Sequence, residues 1–428
     1  MRKNRVFHPS PPALIPSVNS TSDVQVERIS SLAQISELAH EWDRVQRQCS
    51  DKHVLMDHRW LCTWLKIFGS GKEPCILVLR EQGSVVGIAP LIISRGYELF
   101  PSRNFQVHMA DEYRFTRVPR LVRLLPIRRL TFALSGALAN RRSHFLFVEQ
   151  DRRFYERTLS YLDSIAHEWD LMVLEGLPEG SQQEELLLSA IDRSHLRGDG
   201  RRFSRETMFA KLPDSMDLYL ASKTRHFRKR LAEQCRQAEK RFPELRIREF
   251  RGSRIDQGME KLLELEKRSW KTSGARKRTF YIGPEPQLQA FHREAARAFA
   301  ETDGAVVLTM EIAGRPVAGI HCLERDGVTA AIITFLDAEF SSKLNTAPMF
   351  RYLIKSSIER GLREIDFNGK TANIAKWAEG IRRSSRFFFY NRRPYSRFLR
   401  LLSSTAHGAY RAVSAVRRNR ENCDGSST

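Results

Sequence analysis

Apolar positions recur at helical spacing from Ser30 to Cys49, where Leu32, Ile35, Leu38, Ala39, Trp42 and Val45 predict one amphipathic helix. Trp60, Leu61, Trp64, Leu65 and Phe68 predict a second, ended by Gly69 and Gly71. The period then changes. Cys75 to Arg80 and Val85 to Ile93 read as two strands around the turn 81–84, a hairpin. A helix over 153–167 and a strand over 170–175 follow.

The second half has the same rhythm. Residues 222–241 form a helical pattern, 244–250 a strand, and 255–271 and 286–300 two helices. Strands are predicted over 305–312, 317–323 and 329–336, a helix over 348–360 and a strand over 363–367. Both hairpins carry a Gly-Ile step on the return strand, Gly87-Ile88 and Gly319-Ile320, which suggests duplication of one α/β unit. The polar, Gly-containing stretch before residue 203 is the predicted boundary. The expected plan is a disordered arm (1–28), an N-terminal domain (29–200), a C-terminal domain (203–395) and a basic amphipathic tail (396–428).

Composition narrows the setting. The 428 residues include 71 Lys or Arg against 50 Asp or Glu, a net charge of +21 that favours anionic partners. The six Cys are scattered without a Cys-x-x-Cys pair, which argues against a disulfide framework or a zinc knuckle. No run is long and apolar enough to span a membrane, and prolines break up the first eighteen residues, so no signal peptide is read. The expected location is the cytoplasm, including the inner membrane surface. Residues 113–148 hold eight Arg and no acid, and residues 222–241 hold eight Lys or Arg.

The order helices, hairpin, third strand, loop, helix, strand resembles the GNAT acyltransferase fold. Five segments are similar to the CelD/BcsL group, associated with cellulose and exopolysaccharide biosynthesis and related to FemAB-like transferases. They are Glu41-Trp42-Asp43 with His58 to Trp60, basic Lys223 to Arg230, Glu266 with Ser269-Trp270-Lys271, Arg315 to Ala318, and Ile365 to Phe367 with Lys376-Trp377. The resemblance implies tandem α/β (α+β) domains, each a mixed central sheet flanked by helices, with the active site in the second. It implies acyl transfer, acetyl-CoA or another acyl-CoA being the donor and an amine or sugar the acceptor. Val317, Ala318 and Gly319 would hold the thioester, and Ser342, Lys343 and Thr346 the donor phosphates. That loop, 341–348, has no Gly, so an acyl carrier protein also stays open as donor. A FemAB-like reading would use aminoacyl-tRNA instead, and a third reading is a non-catalytic accessory at a membrane surface.

Direct transfer to an amine requires a proton acceptor and a polarised carbonyl but no covalent enzyme intermediate and no metal. Glu266 shares a helical face with Trp270 and is the first candidate base, the alternative being a solvated carboxylate paired with Arg268, Lys267 or Lys271. His321, on the hairpin strand, is a base or a core imidazole. Asp366 and Asn368 alternate onto one face at a strand end, where open α/β sheets place sites, although Asn368-Gly369 also reads as a turn. Trp270, Lys271, Lys376 and Trp377 are candidate acceptor contacts, with Trp377 as a core residue the alternative. The arginines and apolar residues of 392–420 form a stretch able to lie on anionic lipid.

Overall fold

The computed structural model describes residues 24–96, 125–133, 142–269, 282 and 285–402, and in the strand crossing residue 200 the side chains of 199–204 lie outside that description. The N-terminal half runs β1 (Gln25–Ile29), α1 (Leu32–Glu37), α2 (Ala39–Gln48), α3 (His58–Phe68), β2 (Lys72–Glu81), β3 (Ser84–Gly96), β4 (Ile127–Phe132), β5 (Leu146–Phe147), α4 (Arg152–Ser164), β6 (Leu171–Pro178), α5 (Gln182–Asp192) and β7 (Arg197–Lys211). The C-terminal half runs α6 (Met216–Ala221), α7 (Arg225–Arg241), β8 (Arg246–Phe250), α8 (Ile255–Lys267), α9 (Pro286–Ala300), β9 (Ala305–Ile312), β10 (Arg315–Arg325), β11 (Val328–Leu336), α10 (Ala347–Glu359), β12 (Glu364–Asp366) and β13 (Gly380–Tyr390).

One mixed sheet joins the halves in the order β1-β2-β3-β4-β6-β13-β7-β12-β11-β10-β9-β8, with β5 paired to β3. The order is symmetric about its centre. β4 and β6 pair in parallel, as do β11 and β12, and every other neighbouring pair is antiparallel. The last strand of each half crosses into the other: β7 lies against β12, and β13 against β6. This exchange is the strongest sign of duplication. The Gly-Ile steps are not equivalent, because a Cβ on Gly87 would meet Phe147 whereas one on Gly319 would meet Leu262, and those neighbours belong to different cores.

Three large apolar layers and a smaller cluster around Ile127, Phe388 and Leu399 hold the sheet. Helices α1–α3 and α8–α9 share one core, in which Trp42, Trp60 and Trp64 meet Leu262, Phe291 and Phe299. Trp60 and Phe291 touch edge to face at 4.6 Å. Helices α4 and α5 cover the other face of the first half, and α6, α7 and α10 that of the second. Full burial of each such large side chain contributes about 1.5–3 kcal/mol, so the shared core is a large part of what holds the halves together.

Three expectations are corrected. Residues 25–29 are not part of an arm but an edge strand, because Gln25 to Ile29 pair with Arg80 to Ile76. The first helix breaks in two at Leu38, which ends α1 and begins α2. The boundary near 200 is crossed by continuous strand: Arg197 pairs with Tyr390, and Phe209 with Gly380. Two domains therefore share their central strands rather than meeting at a linker.

Candidate active site

The parallel pair β11–β12 is short. Its last partners are Ala330 and Asp366, after which β12 ends and β11 continues to Leu336. The sheet opens there, and the loop 337–346 leads from the far end of β11 into α10. Asp337 ties this end down: its buried carboxylate accepts from Arg268 Nε (3.0 Å), Arg315 Nη2 (2.9 Å) and the Glu339 amide (3.0 Å). The strand expected to hold the thioester, Val317 to Gly319, is instead buried and interior. β10 pairs with both β9 and β11, and Leu262 of α8 covers Gly319. The strand presented at the opening is its neighbour, β11.

The loop 341–346 and the end of α7 enclose a cleft of about 400 Å³, lined by Gln234, Gln237, Lys240, Arg241, Lys343 and Asn345 among others. Three cations and three amides face it, with no carboxylate in its lining. Lys343 is exposed with Glu339 at 4.0 Å, and Arg241 donates to the Lys343 carbonyl at 3.3 Å. Ser342 is exposed; the Thr346 hydroxyl accepts from Asn373 at 3.2 Å. The helix α7 follows from its pattern: Leu231, Cys235 and Ala238 form a buried stripe and the cations fill the outer faces. Lys223, just ahead of α7, donates to the Trp377 carbonyl at 2.8 Å.

At the point where β11 and β12 part, a charged cluster crosses between the halves. Arg142 Nη1 donates to Asp366 Oδ2 at 3.2 Å, and Arg142 Nη2 donates to Asp51. Asp366 Oδ1 accepts the Asn368 amide at 2.7 Å, and Arg382 grips Glu364 through two bonds of 2.6 Å. His144 Nδ1 stands 3.8 Å from Asp51 Oδ2. His53 and His144 are buried, and none of their ring nitrogens finds a hydrogen-bond partner among the described residues. Burial works against the Asp51 charge, but the Arg142 guanidinium beside it outweighs burial and holds the carboxyl well below its ordinary range. Burial lowers the pKa of both His53 and His144, with Arg142 adding to it, so both rings are neutral at pH 7. The cluster therefore combines a fixed anion with uncharged proton acceptors.

Glu266 and His321 are both buried. Glu266 lies in the last turn of α8, is fully buried and accepts the Ile282 amide. His321 is buried on β10, and burial pushes its pKa down to about 4; His292 of α9 lies near it and is pushed to about 3 by burial and then by His321. Asp366 is not a free base, being held by Arg142 and by the Asn368 amide. Asn368 is buried at positive φ (47°), so the turn reading of Asn368-Gly369 holds as well. Trp377 is corrected to a core residue, stacked on Phe350 at 5.8 Å and edge-on to Phe227 at 5.2 Å. Lys376 is exposed. Trp270 and Lys271 lie outside the described residues. Cys322 is core, its thiol pushed up by burial.

Sequence reasoning missed Asp51, His53, Arg142 and His144. They come from two separate segments, and the one local signal was an acid-free run of arginines ending at Arg142. Among the described residues, no group of three His, Cys, Asp or Glu is placed to hold a metal ion.

The fold defines a class: two mixed α/β units in tandem, the second opening at its parallel strand pair and carrying a basic cleft at the loop that follows β11. Residues 225–379 match the model of the acetyltransferase (GNAT) domain family, from α7 to the threshold of β13. That segment is thus similar to a GNAT acetyltransferase domain. No curated protein matches the sequence significantly. Among solved structures, FemX superposes with a TM-score of 0.56 at 14% identity, covering 88% of this chain and all of that one, a likeness of fold. The C-terminal domain of a putative lysylphosphatidylglycerol synthetase from Agrobacterium fabrum gives 0.46 at 11% identity, covering 90% of this chain and 96% of that one. A tandem GNAT protein from the clavulanic acid pathway gives 0.43 at 10% identity, covering 85% and 98%.

Proposed function

We propose that this chain transfers an acyl group, in the first instance acetyl, from coenzyme A to an amine acceptor of surface-polysaccharide or cell-envelope metabolism. One observation carries the reading. The second half opens between β11 and β12, and the loop that follows β11 lines a basic cleft, so a long thioester with its phosphates at one end can lie along β11. The Lys240, Arg241 and Lys343 cations hold the phosphates in the absence of loop glycines.

In the reaction the amine nitrogen attacks the thioester carbonyl. The new C–N bond forms, the C–S bond breaks, the amine proton passes to a base and the thiolate is released to take up a proton. His144 is the proposed acceptor of the amine proton. It is neutral, and Asp51 lies 3.8 Å from its Nδ1 and steadies the imidazolium as it forms. Asp366 and Arg142 act as positioning residues that hold Asp51 at the opening. Glu266 ties Ile282 to the last turn of α8 by accepting its amide. The proposed place of action is the cytoplasmic side of the inner membrane.

The test is release of free CoA thiol from acetyl-CoA with a panel of amino sugars and amines, followed by mass analysis of the acceptor. Acceptor-dependent release that falls about a hundredfold or more in His144→Gln, the usual scale of a lost general base, supports the reading. Unchanged turnover in that variant removes His144 as the base.

The +21 charge and the exposed row Arg225, Arg228, Lys229 and Arg230 on α7 favour a second reading, aminoacyl transfer from charged tRNA. Binding of tRNA that falls steeply with salt, without any response to acetyl-CoA, would select it.

A further inference from the structure

A second cleft, of about 590 Å³, lies at the opposite end of β7 and β13. Ten steps of strand separate Gly380, beside the candidate site, from Tyr390 at this cleft. At roughly 3.3 Å per residue that is about 33 Å.

Its walls come from three parts of the chain. His195 and Arg197 enter from the start of β7, Arg392 follows β13, and Arg397 and Arg400 project from the helix over 394–402. No carboxylate lines it. Asp163, 3.5 Å from Arg392, and two backbone carbonyls contacted by Arg197 are the counter-groups. The guanidinium groups of Arg397 and Arg400 have no hydrogen-bond or ion-pair partner among the described residues. On the same helix, Phe398 and Leu401 leave 46% and 69% of their surface in water. Spacings of three and four residues put Arg397, Arg400 and Leu401 on one flank.

We propose that this cleft binds the phosphate headgroup of an anionic phospholipid and seats the protein on a membrane surface. Converging guanidinium groups suit phosphate oxygens. A soluble phosphate ligand would explain the arginines but not the exposed Leu401 in the lining and Phe398 on the same helix, which acyl chains would cover. The inference is independent of the acyl-transfer reading.

The test is flotation of the full chain with vesicles of phosphatidylcholine alone or mixed equally with phosphatidylglycerol. The expected result is binding to the mixed vesicles only. Arg397→Ala with Arg400→Ala should weaken it about thirtyfold, at about 1 kcal/mol per cation near the surface. Arg225→Ala with Arg228→Ala removes the same charge from α7 and should leave it nearly unchanged. Leu401→Ser should weaken vesicle binding while inorganic phosphate still competes. Equal losses in the two double variants would reduce the effect to general charge and overturn the proposal. So would inorganic phosphate binding without vesicle binding.

Discussion

Arg142 and Asp366, 224 residues apart in the chain, meet at 3.2 Å inside the protein, and the same guanidinium reaches Asp51. Both members of the first pair are more than nine-tenths buried. The contact fastens a segment of the first half to the strand end where the second half opens. Arg142 stays protonated, because Asp51 and Asp366 together outweigh its burial. Removing one partner leaves a buried charge without its counter-charge, so Arg142→Ala should cost about 3–5 kcal/mol. The double variant Arg142→Met, Asp366→Leu should cost less than Arg142→Ala alone. Urea midpoints for the set check this. Equal losses in the single and double variants would show that the pair is not coupled.

Gly176 makes that placement feasible. Its φ is +92°, and a Cβ there would stand 2.7 Å from the Ser143 amide nitrogen. The Ser143 N–H donates to the Gly176 carbonyl at 3.0 Å, so β6 and the Arg142 segment touch backbone to backbone. Gly176→Ala is expected to destabilise by about 1–3 kcal/mol from the backbone conformation alone, and to lower transfer further by displacing His144. A variant with reduced stability but full turnover in cool, dilute conditions would separate the two effects.

The buried imidazoles of His321 and His292 predict acid sensitivity. For His321 the folded pKa, about 4, lies below the ordinary 6.5. The unfolded chain therefore binds the proton first as pH falls. Stability from His321 is complete above pH 6.5 and is lost between 6.5 and about 4, roughly 3 kcal/mol in all. His292, the titratable group beside it, acts in the same direction with its folded pKa near 3. Chemical denaturation at a series of pH values should show this fall, and His321→Phe should flatten it. An unaltered slope in that variant would place the acid sensitivity elsewhere.

The hairpins were legible because β2–β3 and β9–β10 are each local, apolar and joined by short turns. The central strand β13 was not. Its first half, Arg382-Arg383-Ser384-Ser385-Arg386, reads as polar loop, yet these arginines are neutralised by Glu364, Glu206 and Glu175 from distant segments. Edge strand β1 was hidden for a related reason: its charged positions pair across the sheet, as Glu27 does with Arg80. At the site, Asp366 and Asn368 could be read as a strand end. His53 and His144 could not, because each gains its character from burial and from Arg142, neither of which spacing reveals. Trp377 misled because the same aromatic ring serves a core or a binding surface, and only packing on Phe227 and Phe350 decides between them.

The most direct test of the account is thermal unfolding with and without excess acetyl-CoA, on the wild type and on Arg241→Ala with Lys343→Ala. Ligand at about a hundred times its dissociation constant should stabilise the fold by roughly 2.7 kcal/mol. A clear upward shift is expected in the wild type, shrinking when the cleft cations are removed. An equal shift in the double variant would move the donor phosphates away from this cleft, and no shift at millimolar acetyl-CoA in the wild type would contradict coenzyme A as the donor.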